Sequence, residues 1–376
     1  MPFSPPSSEY GGAERQVHSL HRGLLAHGVD IHVLADIASV GKQYQDFQGV
    51  HVWGVSFPGL TSHPVRPGNL KLWTAWRSIR KIVHTQISRP DIIQAVTFRQ
   101  PAMIGSWLAN SLDLPWVVRL AASGTYGDFA FAKSNWLTRI MLPKMTRSVS
   151  RVIALDAETS GEAVANGVPG HRIEIIRNAI LLQGALRDCR GEGGFLFVGR
   201  LARQKRVECL LEAYSRLLQS NAPSPELVIA GDGDERASLE SDAARMGIAS
   251  RCRFLGQIPG PEDALAEASC FINPSESEGF PNAVLEALAC GVPVLLSDIP
   301  VHREIATAIG MQDFLFAVGD ASELAGKMNQ FLRLDARSKE MLAARCRKYA
   351  APFTPAVRDA AYLGMYRRVL SERRDV

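Results

Sequence analysis

Short runs of β-branched and apolar residues alternate with helical stretches along this chain, break off once, and then resume. In the first half the runs are Ile31-His-Val-Leu-Ala, Val50-His-Val-Trp-Gly-Val, Asp91-Ile-Ile-Gln-Ala-Val, Trp116-Val-Val-Arg-Leu, Arg151-Val-Ile-Ala-Leu and Ile173-Glu-Ile-Ile. A glycine- and charge-rich stretch from Gly184 to Gly194 interrupts them. The pattern restarts with Phe195-Leu-Phe-Val, Glu226-Leu-Val-Ile-Ala, Cys252-Arg-Phe-Leu, Ser269-Cys-Phe-Ile and Val292-Pro-Val-Leu-Leu. Strands separated by helices predict an α/β fold with parallel sheets covered on their faces. The interruption predicts two such domains, 1–183 and 195–354, joined by a linker at 184–194. The 376 residues exceed one comfortable core and allow each domain to bury its own sheet. Two doubly wound domains in tandem predict a cleft at the carboxyl ends of their strands, where open α/β sheets bind ligands.

A formal charge of +4 is too small to argue for nucleic acid, and it suits phosphorylated or anionic partners. The beginning, Met1-Pro-Phe-Ser-Pro-Pro-Ser-Ser-Glu-Tyr, lacks the charged and apolar regions of a signal peptide, and no stretch reaches the apolar length of a membrane span. A cytoplasmic location is the expectation. The six cysteines at 189, 209, 252, 270, 290 and 346 form no close pair, so they read as reduced thiols.

Chemistry concentrates in Phe271-Ile-Asn-Pro-Ser-Glu-Ser-Glu278-Gly-Phe-Pro-Asn-Ala-Val-Leu-Glu286-Ala-Leu-Ala-Cys-Gly291. An apolar strand ends here and a helix begins, with Pro281 suited to the first helical position and Gly291 to the position past the end. The amides of Gly279, Phe280, Asn282 and Ala283 cluster at that helix start, where the dipole favours an anion such as a diphosphate. Glu278 lies just outside the helix and Glu286 inside it, placed to accept from hydroxyls at two parts of one ligand. Taken singly, Glu286 reads as a solvated helix residue and Glu278 as an ordinary helix-start acid. Upstream, Phe195-Leu-Phe-Val-Gly199-Arg200-Leu-Ala-Arg203-Gln-Lys205-Arg206 is a strand entering a basic turn. Arg200 offers a planar fork and Lys205 a point charge for a diphosphate. Gly231-Asp232-Gly233-Asp234 contains Asp-x-Asp, but its place after a strand reads as turn chemistry rather than a metal site. The nine histidines are scattered, with His18 and His21 read as surface residues, so no metal is expected. No Gly-x-Gly-x-x-Gly follows a first strand, which excludes a dehydrogenase.

Together these elements resemble the group 1 family of retaining GT-B glycosyltransferases, in which two glutamates eight positions apart flank Gly-Phe-Pro or a similar triplet. The resemblance implies two Rossmann-like domains facing each other across a cleft, with the final helix, 355–376, crossing back onto the first. It gives sugar hydroxyls to Glu278, the ribose to Glu286, and sugar and phosphate to Gly279, Phe280, Pro281, Asn282, Ala283 and Leu285. Arg200 and Lys205 match the family's pyrophosphate cations, with Gly199 beside them and Gly231 in the Gly-Asp-Gly turn. Gly11-Gly12 matches its first glycine loop, which brings Gly12 to the donor phosphates. The implied partners are a nucleotide-sugar, with a UDP-sugar favoured, and a saccharide or lipid-linked acceptor.

The chain departs from the pattern in several places. Arg206 stands where glycine is usual, Ala121 and Gln94 stand where histidines are common, and Asn178-Ala-Ile-Leu181 lacks an acid. The stretch Arg119 to Asp128 does match a variant carrying Arg…Ser-Gly-Thr…Gly-Asp. No strand precedes Gly11, because the proline-rich beginning cannot form an interior strand; an upstream start is the expectation. These departures motivate the alternative of a non-catalytic, degenerate nucleotide-sugar-binding subunit. An epimerase or hydrolase on the same fold is the enzymatic alternative. Two stretches, Leu70 to Val83 and Phe131 to Arg147, mix Lys and Arg with Trp and aliphatic residues at helical spacing. They fit either core-facing helices with basic outer faces or an anionic membrane surface.

Overall fold

The computed structural model describes residues 12–36, 43–55, 69–87, 89–182, 193–220 and 225–374. The proline-rich beginning and all but the last two residues of the expected linker lie outside the described residues. The chain divides into two compact units, Met1–Arg177 with Pro355–Val376, and Asn178–Thr354. The division thus falls at Arg177, inside the stretch assigned above to the first domain.

Among the described residues the first unit holds seven strands: β1 (His32–Asp36), β2 (Tyr44–Phe47), β3 (Val50–Val55), β4 (Ile93–Val96), β5 (Trp116–Arg119), β6 (Arg151–Ala154) and β7 (Ile173–Ile175). β4 to β7 form a parallel sheet in sequence order, and β1, β3 and β2 form a second, mixed sheet. Among the described residues no strand joins β1 to β4, although Leu34 and Ile93 pack on one apolar cluster around Ile79 and Leu108. β2 was not anticipated, and it runs antiparallel to β3. The signal was Gln48-Gly49, both at positive φ (54° and 88°), which closes a two-residue hairpin whose Gly49 N–H donates to Asp46.

The helix Pro355–Arg374 belongs to this unit. Tyr362, Met365 and Val369 pack with Leu20 and Leu24 of the helix Gly12–Ala26 and with Val117 and Ile153 of the sheet. The two helices approach closely: a Cβ on Gly23 would sit 1.7 Å from the Asp359 carboxylate. Buried Arg358 donates to Gln16 Oε1 (3.1 Å) and Ser19 Oγ (3.0 Å) across the same contact. His21, expected at the surface, is half-buried here, and desolvation, with His18 and Arg358 nearby, pulls its pKa down to about 4.

The second unit has β8 (Phe195–Val198), β9 (Leu227–Ala230), β10 (Cys252–Gly256), β11 (Cys270–Asn273), β12 (Val294–Ser297) and the unanticipated two-residue β13 (Leu315–Phe316). Every pairing is parallel, in the order β10-β9-β8-β11-β12-β13. Counted within the unit this is 3-2-1-4-5-6, the doubly wound order whose switch point lies between its first and fourth strands, β8 and β11. The centre is apolar: Phe195, Phe197, Phe271 and Leu295 are fully buried. The loops leaving β8 and β11 on either side of the switch point carry Arg200, Lys205 and Glu278.

Candidate active site

The loop after β8 is fixed by backbone bonds to the loop after β9. Gly199 N–H donates to Ala230 O (3.0 Å), and Leu201 N–H to Asp232 O (2.9 Å). Gly231, at φ 139°, could not carry a side chain, because its Cβ would lie 1.8 Å from Gly199 O. Its glycine is therefore required by the approach of the two loops. Asp232 accepts from the Gly233 amide (2.8 Å) and Arg236 (3.0 Å), which accounts for its lowered pKa and fits turn chemistry.

A short turn, Arg203–Lys205, follows, with Arg206 in the left-handed region (φ 52°, ψ 37°) ahead of the helix Val207–Gln219. That conformation explains why a glycine would suit position 206. The arginine gains partly exposed ion pairs to Glu208 and Glu276, each at 3.3 Å. Left-handed strain costs about 1–2 kcal/mol and exposed pairs return under about 1 kcal/mol each. Arg206→Gly is accordingly expected to stabilise by about 0.5–1 kcal/mol in chemical denaturation; a loss would show that the ion pairs outweigh the strain.

The turn delivers Lys205 to Glu278, which the β11 loop brings from the other side. Lys205 Nζ lies 2.5 Å from Glu278 Oε1, and both side chains are largely buried. The same oxygen accepts from Ser275 Oγ (2.8 Å) and Asn273 Nδ2 (3.2 Å). Burial alone would raise the Glu278 pKa, but the Lys205 ammonium, His302 and the Ser275 hydroxyl hold it below the usual carboxylate range. Behind this group, Ser297 Oγ donates to Ser275 O (2.5 Å), and His302 Nδ1 lies 2.9 Å from Ser297 O. His302 is fully buried, its pKa is lowered by burial to about 4, and its Nε2 has no hydrogen-bond partner among the described residues. Asn273, Ser275, Ser297 and His302 were not singled out from the sequence; the first two lie inside the quoted run, while His302 carried no local signal.

The helix after this loop spans Asn282–Cys290, so Pro281 is its extended N-cap (φ −76°, ψ 105°) and not its first helical residue. The shift has a physical reason. Pro281 O accepts the first intrahelical bond, from Leu285 N–H (3.1 Å), as a cap residue's carbonyl does. Gly291 ends the helix at φ 76°, as expected. Asn178 braces the entry by donating to Phe280 O (3.1 Å) and Asn282 Oδ1 (2.8 Å). Gly279 and Phe280 are buried, while Asn282 and Ala283 are half-buried at the helix start. Leu285 is wholly core, so its side chain has no surface to offer a ligand, and Glu286 is 5% exposed. Arg200 is exposed on the β8 loop, and Gly12 is exposed on the first unit.

The departures noted in the first unit have structural partners. Gln94 Oε1 accepts from Tyr366 OH (2.5 Å), so it serves the packing of the last helix. The Ala121 amide donates to Asp128 Oδ2 (2.6 Å), which also takes Ala122 N–H (3.3 Å), while Asp128 Oδ1 takes Phe98 N–H (2.8 Å). The histidines are less scattered than expected. His32 and His51, opposite one another on β1 and β3, stack at 4.8 Å beside Asp30, close enough for the three to share a metal ion. Trp53 Nε1–H donates into His32 Nδ1 (3.2 Å), which leaves the ring proton on Nε2, 3.3 Å from Asp30. As placed, His32 donates that proton to Asp30.

A doubly wound sheet whose switch point holds a lysine, a glutamate and a helix start has the layout in which open α/β sheets bind ligands. Residues 190–351 match the family model described as glycosyl transferases group 1, and residues 11–179 match that of the glycosyl transferase 4-like domain. The chain is 32% identical to the putative teichuronic acid biosynthesis glycosyltransferase TuaC of Bacillus subtilis over 86% of this chain and 77% of that one. Its fold is similar to that of sucrose-phosphate synthase from Thermosynechococcus elongatus (TM-score 0.76, 18% identity, 96% and 94% of the two chains). It is also similar to HepE of Anabaena in complex with UDP-glucose (TM-score 0.72, 18% identity, 100% and 99%). The chain belongs to the group 1 glycosyltransferases and has their GT-B fold.

Proposed function

We propose that this enzyme transfers a hexose or aminohexose from a UDP-sugar to a saccharide acceptor with retention of configuration, in the synthesis of a cell-envelope polysaccharide or lipopolysaccharide. The observation that carries the reading is the Lys205–Glu278 contact at the switch point, a cation and an acid side by side at the helix start. The UDP-glucose bound by HepE and the teichuronic acid role given to TuaC support the donor and the envelope setting.

In this reading Arg200 and Lys205 hold the diphosphate without a metal, Glu286 holds the ribose, and Glu278 holds the sugar. The bond from C1 of the sugar to the phosphate oxygen breaks while the acceptor oxygen bonds to C1 on the same face. The acceptor's proton passes to the departing phosphate oxygen, and UDP leaves. No side-chain nucleophile is needed. Charge builds on the leaving phosphate, so fixed cations there favour the transition state over the ground state. The acceptor is lipid-linked and the enzyme works at the inner face of the membrane. No helix among the described residues is long and apolar enough to cross one.

The donor is tested by thermal shift with UDP, GDP, ADP and UDP-sugars. A ligand at about 100 times its dissociation constant adds about 2.7 kcal/mol of apparent stability. The expected result is a shift with UDP that Arg200→Ala and Glu286→Ala each weaken. A shift with none of the nucleotides, or one indifferent to both substitutions, would overturn the assignment.

A further inference from the structure

The helices Asp128–Ser134 and Trp136–Ser148 present large apolar side chains to solvent: Trp136 is 44% and Ile140 64% exposed, while Phe131, 41% exposed, carries the Arg99 guanidinium 3.7 Å over its ring. Their opposite sides supply Phe129, Leu142 and Met145 to the core of the first unit. Trp136, Arg139, Ile140, Pro143, Lys144 and Arg147 recur at helical spacing and share the outer face. The sequence from Phe129 to Ser150 holds Lys133, Arg139, Lys144 and Arg147 and no acid. Lys133, Arg139 and Arg147 line an open cleft of about 540 Å³ bounded on its far side by Asn166 and Gly167. The acid whose charge reaches Lys133 is Glu162, and its carboxylate accepts the Gly124 amide at 2.6 Å.

We propose that this face docks on an anionic phospholipid bilayer. Trp136 and Ile140 enter the boundary between headgroups and acyl chains, and the cleft between Lys133, Arg139 and Arg147 receives a lipid phosphate. The charge pattern selects this occupant. The exposed Trp136 and Ile140 side chains alternate with cations on one short helix face, which matches a layer of phosphates over hydrocarbon. The assignment builds on the reading that the acceptor is lipid-linked. It is tested without donor or acceptor, so that either can fail alone.

The experiment is flotation of the full chain with vesicles of phosphatidylglycerol mixed with phosphatidylcholine, and with phosphatidylcholine alone, at low and high salt. The wild type is expected to float with the anionic vesicles at low salt and to lose most of that binding at high salt. Arg139→Ala with Arg147→Ala is expected to lower the partition coefficient about 30-fold, from about 1 kcal/mol for each cation. Trp136→Ser with Ile140→Ser is expected to lower it on the same vesicles, and both variants should keep the wild-type melting shift with UDP. Equal partition onto neutral and anionic vesicles, or a double-arginine variant that floats like the wild type, would overturn the proposal. So would a cleft that binds inorganic phosphate while the protein stays off every vesicle.

Discussion

Lys205→Ala is expected to cut transfer by about 10²–10³-fold, the cost of removing one fixed donor from the place where charge develops, and to destabilise the protein as well. Glu278 sits in a largely buried pocket with Lys205 as its ion-pair partner, and removing one member of such a pair strands a charge. The cost at neutral pH should be about 3 kcal/mol, a fall in melting temperature of roughly 6–12 °C for a unit the size of Asn178–Thr354. Acid should narrow the gap. In the wild type the Glu278 pKa is depressed, so the stability the pair contributes is present above the ordinary carboxylate range and is lost as pH falls through the folded value. In the variant, burial no longer opposed by the ammonium lifts the carboxyl, which protonates earlier and sheds its stranded charge. Melting of both proteins between neutral pH and about pH 4 checks this. Adding Glu278→Gln to Lys205→Ala should recover most of the stability and none of the turnover. A pH-independent gap, or a variant as stable as the wild type, would remove the pair from the centre of the site.

Asp128→Ala should be the most damaging single change in the first unit. The carboxylate is 1% exposed and accepts three backbone amides, from Phe98, Ala121 and Ala122, which joins the end of β4 to the end of β5. Each buried donor left without an acceptor costs about 1–3 kcal/mol, so a loss of about 4 kcal/mol is expected in chemical denaturation. Asp128→Asn should recover part of it, because its carbonyl can still take one of the two sets of amides while its NH2 faces the other. Burial drives the Asp128 pKa up, and the three amides pull against that shift. A loss below about 1 kcal/mol for Asp128→Ala would mean that water replaces the carboxylate.

Most strands and the location of the site were legible because both rest on local signals. β-branched runs and the Phe271 to Gly291 block need no knowledge of tertiary contacts. β13 escaped because two residues, Leu315 and Phe316, carry no period. β2 escaped because Tyr44-Gln-Asp-Phe alternates polarity weakly, and only the positive φ of Gln48 and Gly49 reveals a hairpin. His302 and Ser297 were invisible for another reason: they reach Glu278 through Ser275, a relation between separate loops that spacing cannot encode. Arg206 was visible as an oddity, and its backbone angle supplied the cause. Gln94, read as a lost histidine, is an acceptor for Tyr366, some 272 positions away in the chain.

The return of Pro355–Arg374 to the first unit has a consequence for how the chain is made. The second unit is one continuous segment and can close as soon as residue 354 leaves the ribosome. The first unit cannot, although it is synthesised earlier, because Leu20, Leu24, Val117 and Ile153 wait for Tyr362, Met365 and Val369. Until Pro355–Arg374 has been made, then, the nascent polypeptide carries an uncapped apolar seam. The older half thus depends on a segment made after the whole of the other unit for protection from aggregation and proteolysis.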